Sequence, residues 1–148
     1  MKAAALAALL ILAAPLPAQA EIASAQHLAA VPLTIVSGKV KHLYRVEVAR
    51  TPEQQQIGLM FRTKLARDHG MIFPRTPPDF ASFWMKNTFI PLDLLFIRPD
   101  GTVASIAANA TPLSLAEIRS GEPVAAVLEL AGGEAKRSGI RPGDLVRW

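Results

Sequence analysis

Turn-forming prolines and glycines cut this chain, from about residue 30 onward, into short β-rich runs, and that punctuation limits the fold more than any other feature. The clearest unit is Leu92–Arg98, the turn Pro99-Asp100-Gly101, and an antiparallel return through Thr102–Ala107. A second hairpin joins residues 31–36 to Val40–Ala49 through Ser37-Gly38-Lys39. Residues 80–86, Val124–Leu130 and Leu145–Trp148 read as further strands, with Met71-Ile72-Phe73 as a short apolar run. Helices are brief. Thr51-Pro52-Glu53-Gln54 carries a capping-box start with proline at the first helical position, and Gly58 stops it. Residues 65–70 form a helical or irregular turn, and 132–138 a short helix that Gly139 can end. Pro74, Pro77 and Pro78 make residues 74–79 a surface loop, a candidate lid or rim. The expected class is therefore mostly β: about seven strands in an antiparallel sandwich, jelly-roll-like or barrel arrangement, with two or three short helices.

The first twenty residues read as a cleaved signal peptide. Lys2 supplies the positive start, Ala3–Leu12 the apolar stretch, and Ala18-Gln19-Ala20 the cleavage pattern. Residues 21–30 read as a flexible leader, and 31–148 as one domain. Removing Lys2 with the signal lowers the net charge from +4 to +3. No later apolar run reaches membrane-spanning length, so the expected location is the bacterial periplasm or the extracellular space. The chain has no cysteine, which removes zinc-finger, iron–sulfur and cysteine-nucleophile chemistry. Its basic residues are scattered and lack interleaved aromatics, so no nucleic-acid surface is expected.

Chemistry-bearing residues concentrate in Trp84-Met85-Lys86-Asn87-Thr88 and in Pro91-Leu92-Asp93. Strand alternation places Asp93 on the face of Leu95 and Ile97, and Glu129 on the face of Val127 and Ala125. A buried carboxylate needs a partner or a solvent-lined cavity. Trp84, Lys86, Asn87, Thr88, Asp93 and Glu129 are therefore the candidate ligand-binding set. In it Trp84 is a stacking platform, Asn87 and Thr88 hydrogen-bond the ligand, and the charged groups anchor it.

The same motifs, together with Gly58-Leu59-Met60, Arg62, Gly70-Met71, Val127-Leu128-Glu129-Leu130 and Gly139…Gly143-Asp144, resemble the uncharacterised family known as domain of unknown function 192. The resemblance spans roughly residues 45–148. It implies a compact, mostly β, jelly-roll-like fold that is often exported, and it carries no agreed activity or catalytic residues. Ala131 stands where family members commonly have proline.

Three uses of the cluster remain open on sequence. A binding module would present an open apolar floor to a small polar or saccharide-like ligand. A hydrolase would use Asp93 and Glu129 as acid and base, both facing one cavity. An envelope accessory protein would bind a protein partner through an exposed apolar patch. A structural alternative pairs Lys86 with Glu129 or Asp93 in a buried ion pair, shared with Arg62 or Arg45. Met60, Met71 and Met85 are expected as core filling, and the dispersed His27, His42 and His69 suggest no metal site; no cofactor is expected.

Overall fold

The computed structural model describes residues 24–148; the signal peptide and its cleavage site lie outside the described residues. Among the described residues, seven strands form one curled sheet: β1 (Ala30–Ser37), β2 (Val40–Val48), β3 (His69–Phe83), β4 (Leu92–Ile97), β5 (Val103–Ala110), β6 (Ile118–Ala131) and β7 (Leu145–Arg147). Two short helices, α1 (Pro52–Ile57) and α2 (Glu134–Ser138), complete the fold. The mostly β class and the strand count expected from the sequence are borne out.

The spatial order is β5-β4-β6-β3-β2-β1-β7. Every pair is antiparallel except β2 and β3, which α1 connects in parallel. The sheet curls until its outer strands meet. Thr102 bridges Leu145, and the Val103 and Val146 amides donate to the carbonyls of Asp144 and Gly101, each at 2.8 Å. Curling satisfies edge groups that an open sheet would leave exposed.

The two faces of the sheet carry separate cores. The concave side holds residues from all seven strands, among them Ile35, Val46, Ile72, Leu95, Leu128 and Val146, together with Ala135 of α2. The convex side holds Met71, Phe73, Leu94, Phe96 and Val127, roofed by Leu59, Met85 and neighbouring loop residues. β4 lies between the two cores and is buried along its whole length, so its sequence Leu-Asp-Leu-Leu-Phe-Ile runs apolar without alternating. The interruption by Asp93 is explained below.

Residues 74–79 do not divide two strands as the prolines suggest. They bulge from one continuous strand, β3: Pro74 pairs with Ala126 and Asp79 with Val124, so Arg75–Pro78 stand opposite a single residue of β6. β3 ends at Phe83, and Trp84–Pro91 is loop rather than the strand expected through residue 86. The α1 cap forms as its sequence implies. The Gln54 amide donates to Thr51 Oγ1, and the Thr51 amide donates to Gln54 Oε1.

Candidate functional site

The Trp84–Thr88 run is a tight turn. The Thr88 amide donates to the Met85 carbonyl at 3.1 Å, which puts Lys86 and Asn87 at the corner. Asn87 has φ 53°, a conformation asparagine tolerates better than most residues. Met85 is buried in the convex core and anchors the turn. The Asn87 carbonyl accepts from the Phe61 amide at 2.8 Å, and the Met85 amide donates to the Ser114 carbonyl at 2.9 Å, tying the turn to both neighbouring loops. Asn87 thus shapes the turn, and among the described residues its side-chain amide approaches only Met60 Sδ, at 4.0 Å.

Lys86 points outward. It is exposed, with Nζ 5.1 Å from the Trp84 ring centroid, and forms no ion pair among the described residues. The buried pairing of Lys86 with Glu129 or Asp93 is therefore corrected. A turn sends its corner residue to solvent, where an extended strand would have turned it inward. Arg62 is engaged elsewhere, 2.7 Å from Glu47. Burial alone would raise the Glu47 carboxyl, but hydrogen bonds from Arg62 and the Leu28 amide outweigh it and hold the group below the usual range.

Asp93 and Glu129 occupy opposite faces of the sheet. The β4–β6 register pairs Asp93 with Leu130 and Leu94 with Glu129, and directly paired residues share a face. Asp93 therefore faces the concave core, fully buried, and accepts three backbone N–H groups: Asn109 and Gly133 on Oδ1, at 2.8 and 2.9 Å, and Ala135 on Oδ2, at 2.8 Å. The Gly132–Gly133 junction presents its amide to this internal anion. Gly132 is required there because a Cβ would lie 2.8 Å from Pro91 Cβ. A hydrolase that uses Asp93 and Glu129 as its acid–base pair is corrected by this arrangement, since Asp93 is fully buried on the opposite face of the sheet from the Glu129 cleft.

Glu129 faces the convex side, between Met71 of β3 and Leu94 of β4. It is 5% exposed and forms no ion pair among the described residues. Burial pushes its carboxyl up to about 8, so at neutral pH it is a neutral acid that can both donate and accept a hydrogen bond. The group lines a cleft of about 300 Å³ between α1, the 58–60 segment, β3 and the Trp84 turn. Phe73 and Phe83 meet edge to face at 5.1 Å in its wall, and Trp84, 47% exposed, stands at its rim. Thr88 Oγ1 donates to the Lys86 carbonyl and keeps its lone pairs free to accept. Gln55 spans the opposite wall, its amide donating to the carbonyls of Ala49 and Pro74 at 3.1 and 2.9 Å.

Of the six expected residues, Trp84, Thr88 and Glu129 converge on this cleft; Lys86, Asn87 and Asp93 do not line it. Gln55, Phe83 and Arg75 belong to it and were missing from the expected set. Their sequence signals were faint: an amide inside a capped helix start, and a lone cation among prolines.

These features define a class: a small curled-sheet domain with an apolar cleft over a buried, uncharged acid. The chain belongs to the DUF192 family, described as Uncharacterized ACR, whose model matches residues 33–148. It resembles a crystallised protein of unknown function from Novosphingobium aromaticivorans DSM 12444, at 46% identity over 91% of this chain and 100% of that one, with a TM-score of 0.80. A crystallised candidate transcription regulator from Sinorhizobium meliloti 1021 is 43% identical over 86% of this chain and 97% of its own, with a TM-score of 0.79. No curated protein matches the chain.

Proposed function

We propose that the protein is a non-catalytic binding domain whose Glu129 cleft takes the hydroxylated, uncharged part of a small ligand of saccharide type. The observation that carries this reading is Glu129 itself, a buried acid at a cleft wall with no ion-pair partner among the described residues. Burying a polar group without a partner costs free energy, and a folded domain retains such a group where something else uses it. A neutral carboxylic acid matches a ligand hydroxyl, offering one donor and one acceptor. The aromatic walls and the rim indole suit the apolar face of a sugar ring.

The test is an NMR titration with neutral pyranosides, glucose and N-acetylglucosamine, followed on the Trp84 indole and Thr88 amide resonances. Binding should persist in Glu129→Gln, which keeps a neutral donor and acceptor, and weaken in Trp84→Ala. Absence of any perturbation at Trp84 and Thr88 with either sugar would sink the proposal. We further propose that the domain acts outside the cytoplasm, on the strength of the Ala/Leu-rich start and the Ala18-Gln19-Ala20 pattern. N-terminal sequencing of the protein from cells should begin at Glu21; an intact Met1 start would reject export by cleavage.

A further inference from the structure

The Glu129 cleft adjoins a second hollow, with which it shares two lining residues. A groove of about 550 Å³ lies under the β3 bulge, walled by Pro52, Pro74 and Pro77, and Gln55 and Arg75 line both spaces. The charged groups facing this groove are Arg50, Arg75 and Asp79, two cations against one acid. Neither arginine forms an ion pair among the described residues.

Arg75 is held rather than loose. It is half-buried, and its Nη2 donates to the Phe80 carbonyl at 3.0 Å across the bulge. Its Nε is buried with no hydrogen-bond partner among the described residues. Asp79 Oδ1 accepts the Phe80 amide at 2.7 Å, and Asp79 forms no ion pair with Arg75 among the described residues. A guanidinium fixed through Nη2, with Nη1 donating to no acceptor among the described residues and a second arginine on the same groove, can present N–H donors to a carboxylate.

We propose that this groove is the subsite for an anionic group on the ligand whose uncharged part fills the Glu129 cleft, making the preferred ligand an acidic saccharide rather than a neutral one. The inference rests on the reading of the Glu129 cleft as a binding site. Gln55, tethered between the Ala49 and Pro74 carbonyls, forms the partition across which one ligand would bridge the two spaces.

The experiment uses the full chain and a matched pair of sugars. N-acetylmuramic acid is N-acetylglucosamine with a lactyl ether, so the two differ only by the group that bears the carboxylate. N-acetylmuramic acid should bind about tenfold tighter at low salt, the gain from one hydrogen bond to a charged group at the low end of its range. The preference should shrink as salt is added. Arg75→Gln should reduce it to about twofold or less, the preference being read as the ratio of the two sugars' affinities within the same variant. Arg50→Gln, at an exposed position, repeats the test should Arg75→Gln fail to fold.

Lactate alone separates the two hypotheses by reporting on the arginine Nε–H signals. If N-acetylglucosamine binds, the acid form binds no better and lactate leaves Arg75 unmoved, the subsite is overturned while the cleft reading stands. If neither sugar binds yet lactate shifts Arg75, the cleft reading fails and the anion site survives. An acid preference that persists in both arginine variants overturns the subsite, and silence from all three probes overturns both.

Discussion

Replacing Glu129 by glutamine should change how the stability of this protein depends on pH. The native carboxyl titrates near 8, whereas in the unfolded chain it returns to the ordinary glutamate value of 4.5. Below the unfolded value both states hold the proton and the group contributes no slope. Between pH 4.5 and about 8 the native state keeps a proton that the unfolded chain releases, so unfolding becomes easier as pH rises. The slope is about 1.4 kcal/mol per pH unit, or about 5 kcal/mol across the window. That is a large share of the roughly 5–15 kcal/mol that holds a typical domain together. Above about pH 8 the native group ionises too and the slope flattens. Glu129→Gln removes this titration while keeping shape and neutrality. The two proteins should match within about 1 kcal/mol at pH 5, and the variant should be more stable by about 4 kcal/mol at pH 8. Urea denaturation at pH 5, 6, 7 and 8, followed by tryptophan fluorescence, measures both curves, and every other titrating group cancels in the difference. Parallel curves would refute the reasoning, because they would mean that Glu129 is ionised in the native state.

Asp93→Asn should cost about 2–3 kcal/mol, since the new amide would meet the Ala135 N–H donor head on; a loss under 0.5 kcal/mol in urea melts would remove Asp93 as the anchor of the α2 junction. Lys86→Met should cost at most about 1 kcal/mol, the value of an exposed cation–π contact, and a loss of about 3–5 kcal/mol would instead indicate a buried ion pair. Gly70→Ala should destabilise by more than about 2 kcal/mol, because the added Cβ falls inside contact distance of the Glu129 carbonyl oxygen; a near-neutral melting temperature would show that β3 and β6 can separate freely there.

Local signals were enough for the elements whose causes are local. The Thr51 capping box, the glycine turns at residues 38 and 101, and the apolar residues 94–97 of β4 all act through neighbours in sequence or through burial of one short stretch. The mostly β class and about seven strands follow from them. The Trp84–Thr88 motif was visible as special but not as a turn, because its apolar flanks also suit a strand, and only the Asn87 φ and the Met85–Thr88 hydrogen bond set its direction. Lys86 consequently faces solvent.

Two acids illustrate the boundary most clearly. Alternation assigned each carboxylate to a face of its own strand, yet the relation between those faces depends on register. A shift of one residue between β4 and β6 exchanges the faces that paired residues share, and the chain carries no local mark of that register. The sequence alone thus determined that the protein is a short-stranded β domain with buried carboxylates needing an explanation. Only the tertiary structure decided that Asp93 is satisfied by backbone amides on the concave side, while Glu129 opens, without an ion-pair partner among the described residues, onto a cleft completed by Gln55 and Arg75. Burial and partnership belong to long-range contacts, and those exist only once the sheet has curled.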